Sequence, residues 1–283
     1  MTVYNEKSKI GDAIAELKSE GLSVGMVPTM GALHEGHLQL VKKAIAENDK
    51  AVVSIFVNPT QFDNKEDLEK YPRTLESDVA LLKTVSETGI LVYAPTIRDI
   101  YGDNPVSENF DFDGLEFEME GRFRHGHFDG VGTIVKRLFQ IVKPNKGYFG
   151  EKDFQQLQII RKLVEKHDLP VQIVGCKIHR EANGLAMSSR NTRLTPEHKN
   201  ASPFIYKTLK TAKAKFGTES ATKITEWVEN QFKAHDLLEL EYFIIADVET
   251  LKPIKRKSRK KKYRAFIATY AGDIRLIDNI ALN

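Results

Sequence analysis

The strongest constraint on the fold of this 283-residue chain is an alternation near its start. Leu22 to Val27 reads as the end of a strand, Pro28 and Gly31 punctuate a turn, and Leu33, Leu38, Leu40 and Val41 give a helix buried on one side. Ala51-Val-Val-Ser-Ile-Phe-Val57 is then a continuous, largely β-branched run, the pattern of a strand covered on both faces. Strand, helix, strand in this order predicts a βαβ unit and a parallel sheet.

His34 and His37 stand three apart, with Gly36 between them, where the new helix begins. That spacing can aim both imidazoles the same way. A helix start also presents unpaired backbone N–H groups and a partial positive charge, which suits phosphate. Gly36 lets a ligand lie against the backbone, and imidazoles can donate to phosphate oxygens as charge builds during displacement. Two histidines so spaced are equally compatible with a metal pair or plain surface residues. The absence of a cysteine pair or third histidine nearby argues against structural zinc. The strand–turn–helix setting favours chemistry, and His34-Glu-Gly-His37 resembles the HxGH signature of the nucleotidylyltransferase superfamily.

Hydrophobic content of 41% and charged content of 29% fit a globular chain of one large or two modest domains. No apolar stretch approaches the roughly 20 residues needed to span a bilayer, and Met1-Thr-Val-Tyr-Asn-Glu lacks a signal-peptide core. Cys176 is the only cysteine, which excludes an intrachain disulfide and fits a reducing cytoplasm. The net charge of +3 is too small to identify a partner.

Along the chain, Lys7 to Ser19 has helical apolar spacing ended by Gly21. Leu22 to Val27 is the first convincing strand. Asn58-Pro-Thr-Gln-Phe62 follows the second, where open parallel sheets bind ligands. Asn58 and Gln61 can offer amides there, although Asn58-Pro59 reads equally well as a plain turn. Asp63 to Arg73 is charged and loop-like, and Thr74 to Val85 gives a helix with Leu75, Val79 and Leu82 on one face. Ile90 to Pro95 is another strand. Tyr101 to Pro105 is a turn cluster, and Phe110 to Phe117 a short strand or loop.

Gly121 to Val131 reads as a mobile cationic stretch able to cover an anionic ligand, or as a solvated loop. Val131 to Val142 returns to helical spacing, closed by Pro144. Tyr148-Phe149 ends a short strand. Gly150 gives backbone freedom, Lys152 a point charge for phosphate, and Asp153 a cap for the next helix. At least one of Gln155 and Gln156 is expected to face a pocket. Val171 to Gly175 is the last strand of the first half. Met187-Ser188-Ser189-Arg190 then offers two hydroxyls and a guanidinium, a polyphosphate clamp. Thr195 caps a helix that has Pro196 at its first position.

A domain change is placed near residue 180, giving domains 1–180 and 181–283. The second reads as a small α+β domain: helices near Ala201–Phe216 and Ala221–His235, then strands near Leu240–Asp247, Arg264–Tyr270 and Leu276–Ile280. Lys255 to Arg264 packs eight basic residues into ten. A solvated hairpin loop is favoured over nucleic-acid contact, because no aromatic platform surrounds the run.

Seven stretches together resemble the pantothenate synthetase (pantoate–β-alanine ligase) family. They are Val27 to His37, Val57-Asn-Pro-Thr-Gln-Phe62, Tyr71-Pro-Arg-Thr74, Gly126-His-Phe-Asp-Gly-Val131, Phe149 to Leu157, Gly184-Leu-Ala-Met-Ser-Ser-Arg-Asn191 and Arg275-Leu-Ile-Asp-Asn279. They run in the family's order over nearly the whole chain. The resemblance implies a Rossmann-like parallel-sheet domain with a smaller C-terminal α+β lid domain, usually a homodimer through the first. It implies an ATP-dependent, AMP-forming ligation of pantoate with β-alanine through a pantoyl adenylate, in the pathway to coenzyme A, with Mg²⁺ carried by the ATP and no other metal.

By position, the resemblance puts Met30, Gly31, Ala32, Leu33, His34, Glu35, Gly36 and His37 at the ATP site. His34 and His37 lie near the phosphates, His37 as proton donor. Gly150, Glu151, Lys152 and Asp153 meet the nucleotide, Lys152 at phosphate and Asp153 at ribose. His179 meets the adenine through its backbone, and Met187, Ser188, Ser189 and Arg190 form the second phosphate clamp. Gln61 and Gln156 hold pantoate with Asn58 close by, and Arg124 matches an arginine of the mobile loop. Residues 122–125 read Arg-Phe-Arg-His where the family commonly has Arg-Pro, and the basic run at 255–264 is no family feature. The residues leave two alternatives: another HxGH transferase acting on a phosphorylated acceptor, against which the amides of Asn58, Gln61 and Gln156 speak, and an RNA-binding protein using the basic run.

Overall fold

A computed structural model describes residues 1–63 and 65–283; Asn64 lies outside the described residues. Packing divides the chain into two compact units, Met1–Glu151 with Gln155–Lys177, and Lys152–Phe154 with Ile178–Asn283.

The first unit runs β1 (Thr2–Tyr4), α1 (Lys7–Ser19), β2 (Val24–Thr29), α2 (Glu35–Glu47), β3 (Lys50–Ile55), α3 (Lys65–Lys70), α4 (Leu75–Lys83), β4 (Ile90–Tyr93), α5 (Ile97–Tyr101), α6 (Glu120–Phe123), α7 (His127–Val142), β5 (Lys146–Gly150), α8 (Phe154–Lys166, its first residue packing with the second unit) and β6 (Gln172–Cys176). The six strands are all parallel, in the order β1-β4-β3-β2-β5-β6. Val27 sits in register with Val53, and both join Leu38, Val41 and Ala44 of α2 in one apolar cluster. Met26 and Val52, the neighbouring register pair, point to the opposite face by strand alternation, and α7 packs on β2 with α1 against it. All four strand side chains are fully buried. Burial on both faces is the reason these strands read as unbroken apolar runs.

Chain order reverses between β2 and β5, the switch point at which open α/β sheets leave a crevice beyond the strand carboxyl ends. β2 runs out into Met30–His37, β3 into Asn58–Gln61, and β5 into a 3-10 turn at Glu151–Asp153.

Several expectations for this unit are corrected. Thr2–Tyr4 is a strand, although three residues carry no apolar run; it is an edge strand paired with β4 alone. Within the charged stretch 63–73, Lys65–Lys70 is helical: acids occupy its first turn and Lys70 its last, matching the helix dipole. In α4, Leu82 is buried and Val79 packs partly buried against the same core, as expected, but Leu75 is exposed and Asp78 is buried in its stead. Ile97–Tyr101 is a short helix capped by Thr96, whose hydroxyl accepts the Asp99 N–H. Gly121–Val131 is not an open loop. α6 occupies its start, and α7 begins at His127, four residues before the apolar spacing suggests.

The second unit holds α9 (Pro196–Ala201), α10 (Pro203–Phe216) and α11 (Ala221–Lys233), then an antiparallel sheet of β7 (Glu239–Asp247), β8 (Tyr263–Ala271) and β9 (Ile274–Ala281), with β8 central. Thr195 caps α9 through the His198 N–H, as its sequence predicts. α10 packs on β8 and β9 and α11 on β7. Between them lie Leu209, Ile224, Val228, Ile267 and Leu276. The basic run occupies the β7–β8 connection. Lys257 donates to the carbonyls of Phe216, the last residue of α10, and of Glu219 just beyond it, and Lys261 pairs with Asp247. No helix among the described residues is long and apolar enough to cross a membrane.

Candidate active site

The turn after β2 is held in an unusual backbone shape. Gly31 and Ala32 both have positive φ, 86° and 50°. For Ala32 this conformation carries a steric cost, so something must enforce it. The enforcing group is Asp78 of α4, only 2% exposed. Its carboxylate accepts the Ala32 N–H at 3.0 Å and the Leu33 N–H at 2.7 Å, and the Thr74 hydroxyl at 3.3 Å. Thr29 fixes the other side of the turn, donating to the Ser54 carbonyl and accepting the Gly31 N–H. A signal for Asp78 was present in the sequence: an acid four residues before Leu82, on the face that Leu82 buries.

That turn delivers His34 to the N-cap of α2. Nδ1 of His34 accepts the Gly36 N–H at 3.1 Å, and Nδ1 of His37 accepts the His34 N–H at 3.4 Å. The two rings lie against each other, tilted by 36° with centroids 4.1 Å apart. A ring nitrogen that accepts an N–H carries no proton, so both neutral imidazoles are held with the hydrogen on Nε2. The helix start therefore presents two oriented N–H donors, with its own dipole adding positive potential. Glu35, in the same first turn, is engaged by Gln39 and Lys42.

The turn after β3 meets the first one. Gln61 Nε2 lies 3.2 Å from Met30 Sδ, and its Oε1 accepts from Asn58 Nδ2. Asn58 is 1% exposed and fully used. It also donates to the Gly130 carbonyl and accepts from the Thr60 and Tyr101 hydroxyls. Its role here is to orient Gln61. The Gln61 carbonyl accepts from His127 Nδ1 at 2.9 Å and Arg124 Nη2 at 3.5 Å, and His127 Nε2 accepts from Arg124 Nη1. Burial, with the Arg124 charge beside it, pushes the His127 imidazole down to about 4. The ring is thus a neutral link between Gln61 and Arg124. Met30, Asn58, Gln61 and Arg124 are brought together by these contacts; His127 was missed, because a histidine in a glycine-rich stretch reads as surface.

The two glutamines after β5 part ways. Gln155 is buried, donating to the Leu115 and Glu118 carbonyls and accepting the Glu120 N–H, so it pins the segment ahead of α6. Gln156 beside it remains partly exposed.

In the second unit, residues 179–187 form a hairpin: Met187 N–H donates to the His179 carbonyl, and Arg180 bridges to Ala186. Asn191, buried, donates to Glu181 and the Ala186 carbonyl. Ser188 caps a 3-10 turn at Ser189–Arg193, its hydroxyl accepting the Arg190 N–H. Met187, Ser188, Ser189 and Arg190 are all partly exposed. Lys152 and Asp153 also pack with this unit, their charged groups 3.9 Å apart. Groups chemically able to donate to an anion thus occur in both units.

A family profile described as pantoate-beta-alanine ligase matches residues 2–281. Pantothenate synthetases from Christiangramia forsetii and Flavobacterium psychrophilum are 60% and 55% identical, with both chains covered in full. Among solved structures, the pantothenate synthetase of Thermus thermophilus superposes with a TM-score of 0.91 at 37% identity, covering 100% of this chain and 99% of that one. The pantoate-beta-alanine ligase of Francisella tularensis, complexed with beta-gamma ATP and beta-alanine, gives 0.79 at 33% identity, covering 100% and 98%. Similarity of this extent over the whole length shows that the chain belongs to the pantoate-beta-alanine ligase family.

Proposed function

We propose that the chain joins pantoate to β-alanine in two steps driven by ATP. A pantoate carboxylate oxygen attacks the α-phosphorus, forming the acyl–phosphate bond and releasing pyrophosphate. The β-alanine amine then attacks the acyl carbon, the amide forms, the amine loses a proton, and AMP leaves. A free carboxylate is a poor electrophile for amines, so activation must come first. The protein's task is alignment and charge stabilisation.

The observation that carries this reading is the adjoining His34–His37 pair, with both Nδ1 atoms tied to backbone N–H groups at a helix start. Two fixed Nε2–H donors suit the negative charge that moves onto the departing pyrophosphate. Lys152 and the segment Met187, Ser188, Ser189, Arg190 are assigned to ATP phosphate, and Asp153 and the His179 backbone to the nucleoside. Gln61, oriented by Asn58, and Gln156 are assigned to pantoate. Amides both donate and accept, which matches an acid bearing hydroxyls. Arg124, fixed by His127, is assigned to a substrate carboxylate. Mg²⁺ enters as part of the ATP substrate, held by phosphate oxygens and water.

We infer a homodimer through the first unit; the exposed Val106 and Phe117, at 55% and 70%, supply apolar surface for it. Sedimentation equilibrium tests the dimer. A cytoplasmic setting is inferred from the lone, buried Cys176.

The decisive experiment is exchange of labelled pyrophosphate into ATP. It is expected to require pantoate and to proceed without β-alanine. Exchange that runs equally well without pantoate refutes the order of steps.

A further inference from the structure

We propose that Asn279, in the Arg275-Leu-Ile-Asp-Asn279 stretch of β9, is a positioning residue for Lys152. The inference rests on the reading of Lys152 as a phosphate donor. The proposed chemistry gives this stretch no task, yet it holds two adjacent buried polar side chains, Asp278 at 4% and Asn279 at 2% exposure. Adjacent strand residues face opposite sides of a sheet, so the two serve different segments.

On the face that packs against α10, Asp278 takes Arg180 in a two-pronged pair, at 2.6 and 2.9 Å. The Arg180 guanidinium lies 3.6 Å over the Tyr206 ring and donates to the Gly184 carbonyl. β9 is thereby locked to the 179–187 hairpin, and a slip of one residue would break the pair.

On the other face, Asn279 Nδ2 donates to the Lys152 carbonyl at 2.8 Å, while its Oδ1 accepts from Arg264. Arg264 also lies 4.0 Å over the ring of Phe154, itself buried against Phe266. The main chain of Lys152 is therefore held at its own carbonyl, and again two residues on through Phe154. Both anchors end on the same arginine–asparagine pair. The chemistry of the position is specific. The Lys152 carbonyl needs a donor and Arg264 needs an acceptor, at one side chain. A carboxylate of the same size serves only the arginine, and an aliphatic serves neither. The lysine side chain is long and flexible, so its reach to a phosphate depends on where its backbone is fixed.

The test is a double-mutant cycle read by pantoate-dependent pyrophosphate exchange. Asn279→Asp keeps the acceptor for Arg264 and removes the donor to Lys152. In the otherwise native enzyme it is expected to lower the exchange rate by about 10- to 100-fold, the scale of a misplaced catalytic group. The KM for ATP should move far less. In a Lys152→Ala background the same change is expected to alter the rate by less than about twofold, because the group being positioned is gone. Asn279→Ser removes the reach without adding charge and carries the test should the aspartate variant not fold. Equal slowing in both backgrounds means a merely structural role and overturns the proposal, as does native exchange in both Asn279 variants. Native exchange in Lys152→Ala alone overturns instead the reading of Lys152 as a phosphate donor.

Discussion

Asp78 makes the sharpest prediction, because it holds the turn that carries His34 without any part in the chemistry itself. Its two carboxylate oxygens accept the N–H groups of Ala32 and Leu33 at 3.0 and 2.7 Å, from a site only 2% exposed. Hydrogen bonds to a charged group contribute about 1.5–3 kcal/mol each. Asp78→Asn keeps one oxygen and turns an NH₂ toward the other N–H, so one bond weakens and one buried donor is left opposite a donor. The expected loss is about 2–4 kcal/mol, a large part of a typical total of 5–15 kcal/mol. The positive φ of Ala32 then has no restraint, and the turn relaxes away from the His34 cap. A displacement of about 1 Å at His34 should slow pyrophosphate exchange by about 100-fold. Urea unfolding and exchange kinetics on one preparation decide it. Stability within about 0.5 kcal/mol of the native protein, together with native exchange, refutes the argument that a buried carboxylate enforces this turn.

Gln156→Ala is expected to raise the KM for pantoate by about 5- to 100-fold with little change in melting temperature. Gln155→Ala should instead cost about 1–3 kcal/mol of stability, since it strands buried backbone groups; steady-state kinetics beside thermal melts separate them, and the reverse pattern refutes the assignment. His127 sets a pH dependence. Its folded value of about 4 lies below the ordinary 6.5, so the neutral ring stabilises the fold fully above pH 6.5. That stability drains as pH falls toward 4, by up to about 3 kcal/mol. Denaturation midpoints from pH 7.5 to 4.5 should fall more steeply for the native protein than for His127→Gln, and parallel curves count against it. Gly130→Ala would put a Cβ 2.3 Å from the Thr60 carbonyl and 2.6 Å from the Gln61 backbone. It should displace the Gln61 turn and destabilise by about 1–3 kcal/mol or more; a native urea midpoint with a native KM for pantoate refutes that packing.

The parallel sheet was legible from the runs Leu22–Val27, Ala51–Val57 and Ile90–Pro95 and their alternation with helical spacing, because strands buried on both faces need a largely apolar composition. His34 and His37 were legible as a helix-start pair because their spacing and the flanking turn are local properties. Tertiary packing decided the rest, and in each case a long-range partner was the reason. Thr2–Tyr4 becomes a strand only because β4 lies beside it. Helical spacing puts Asp78 on the face that Leu82 buries, but its task appears only when the turn 45 residues earlier brings two N–H groups to it. Gln155 and Gln156 are chemically identical and adjacent, so only the segment packed over Gln155 tells which amide is spent. Asn279 and Lys152 are 127 residues apart, and no local pattern links them. Propensity and periodicity are properties of neighbours in sequence, whereas a hydrogen bond between distant segments exists only once the backbone has been folded around it.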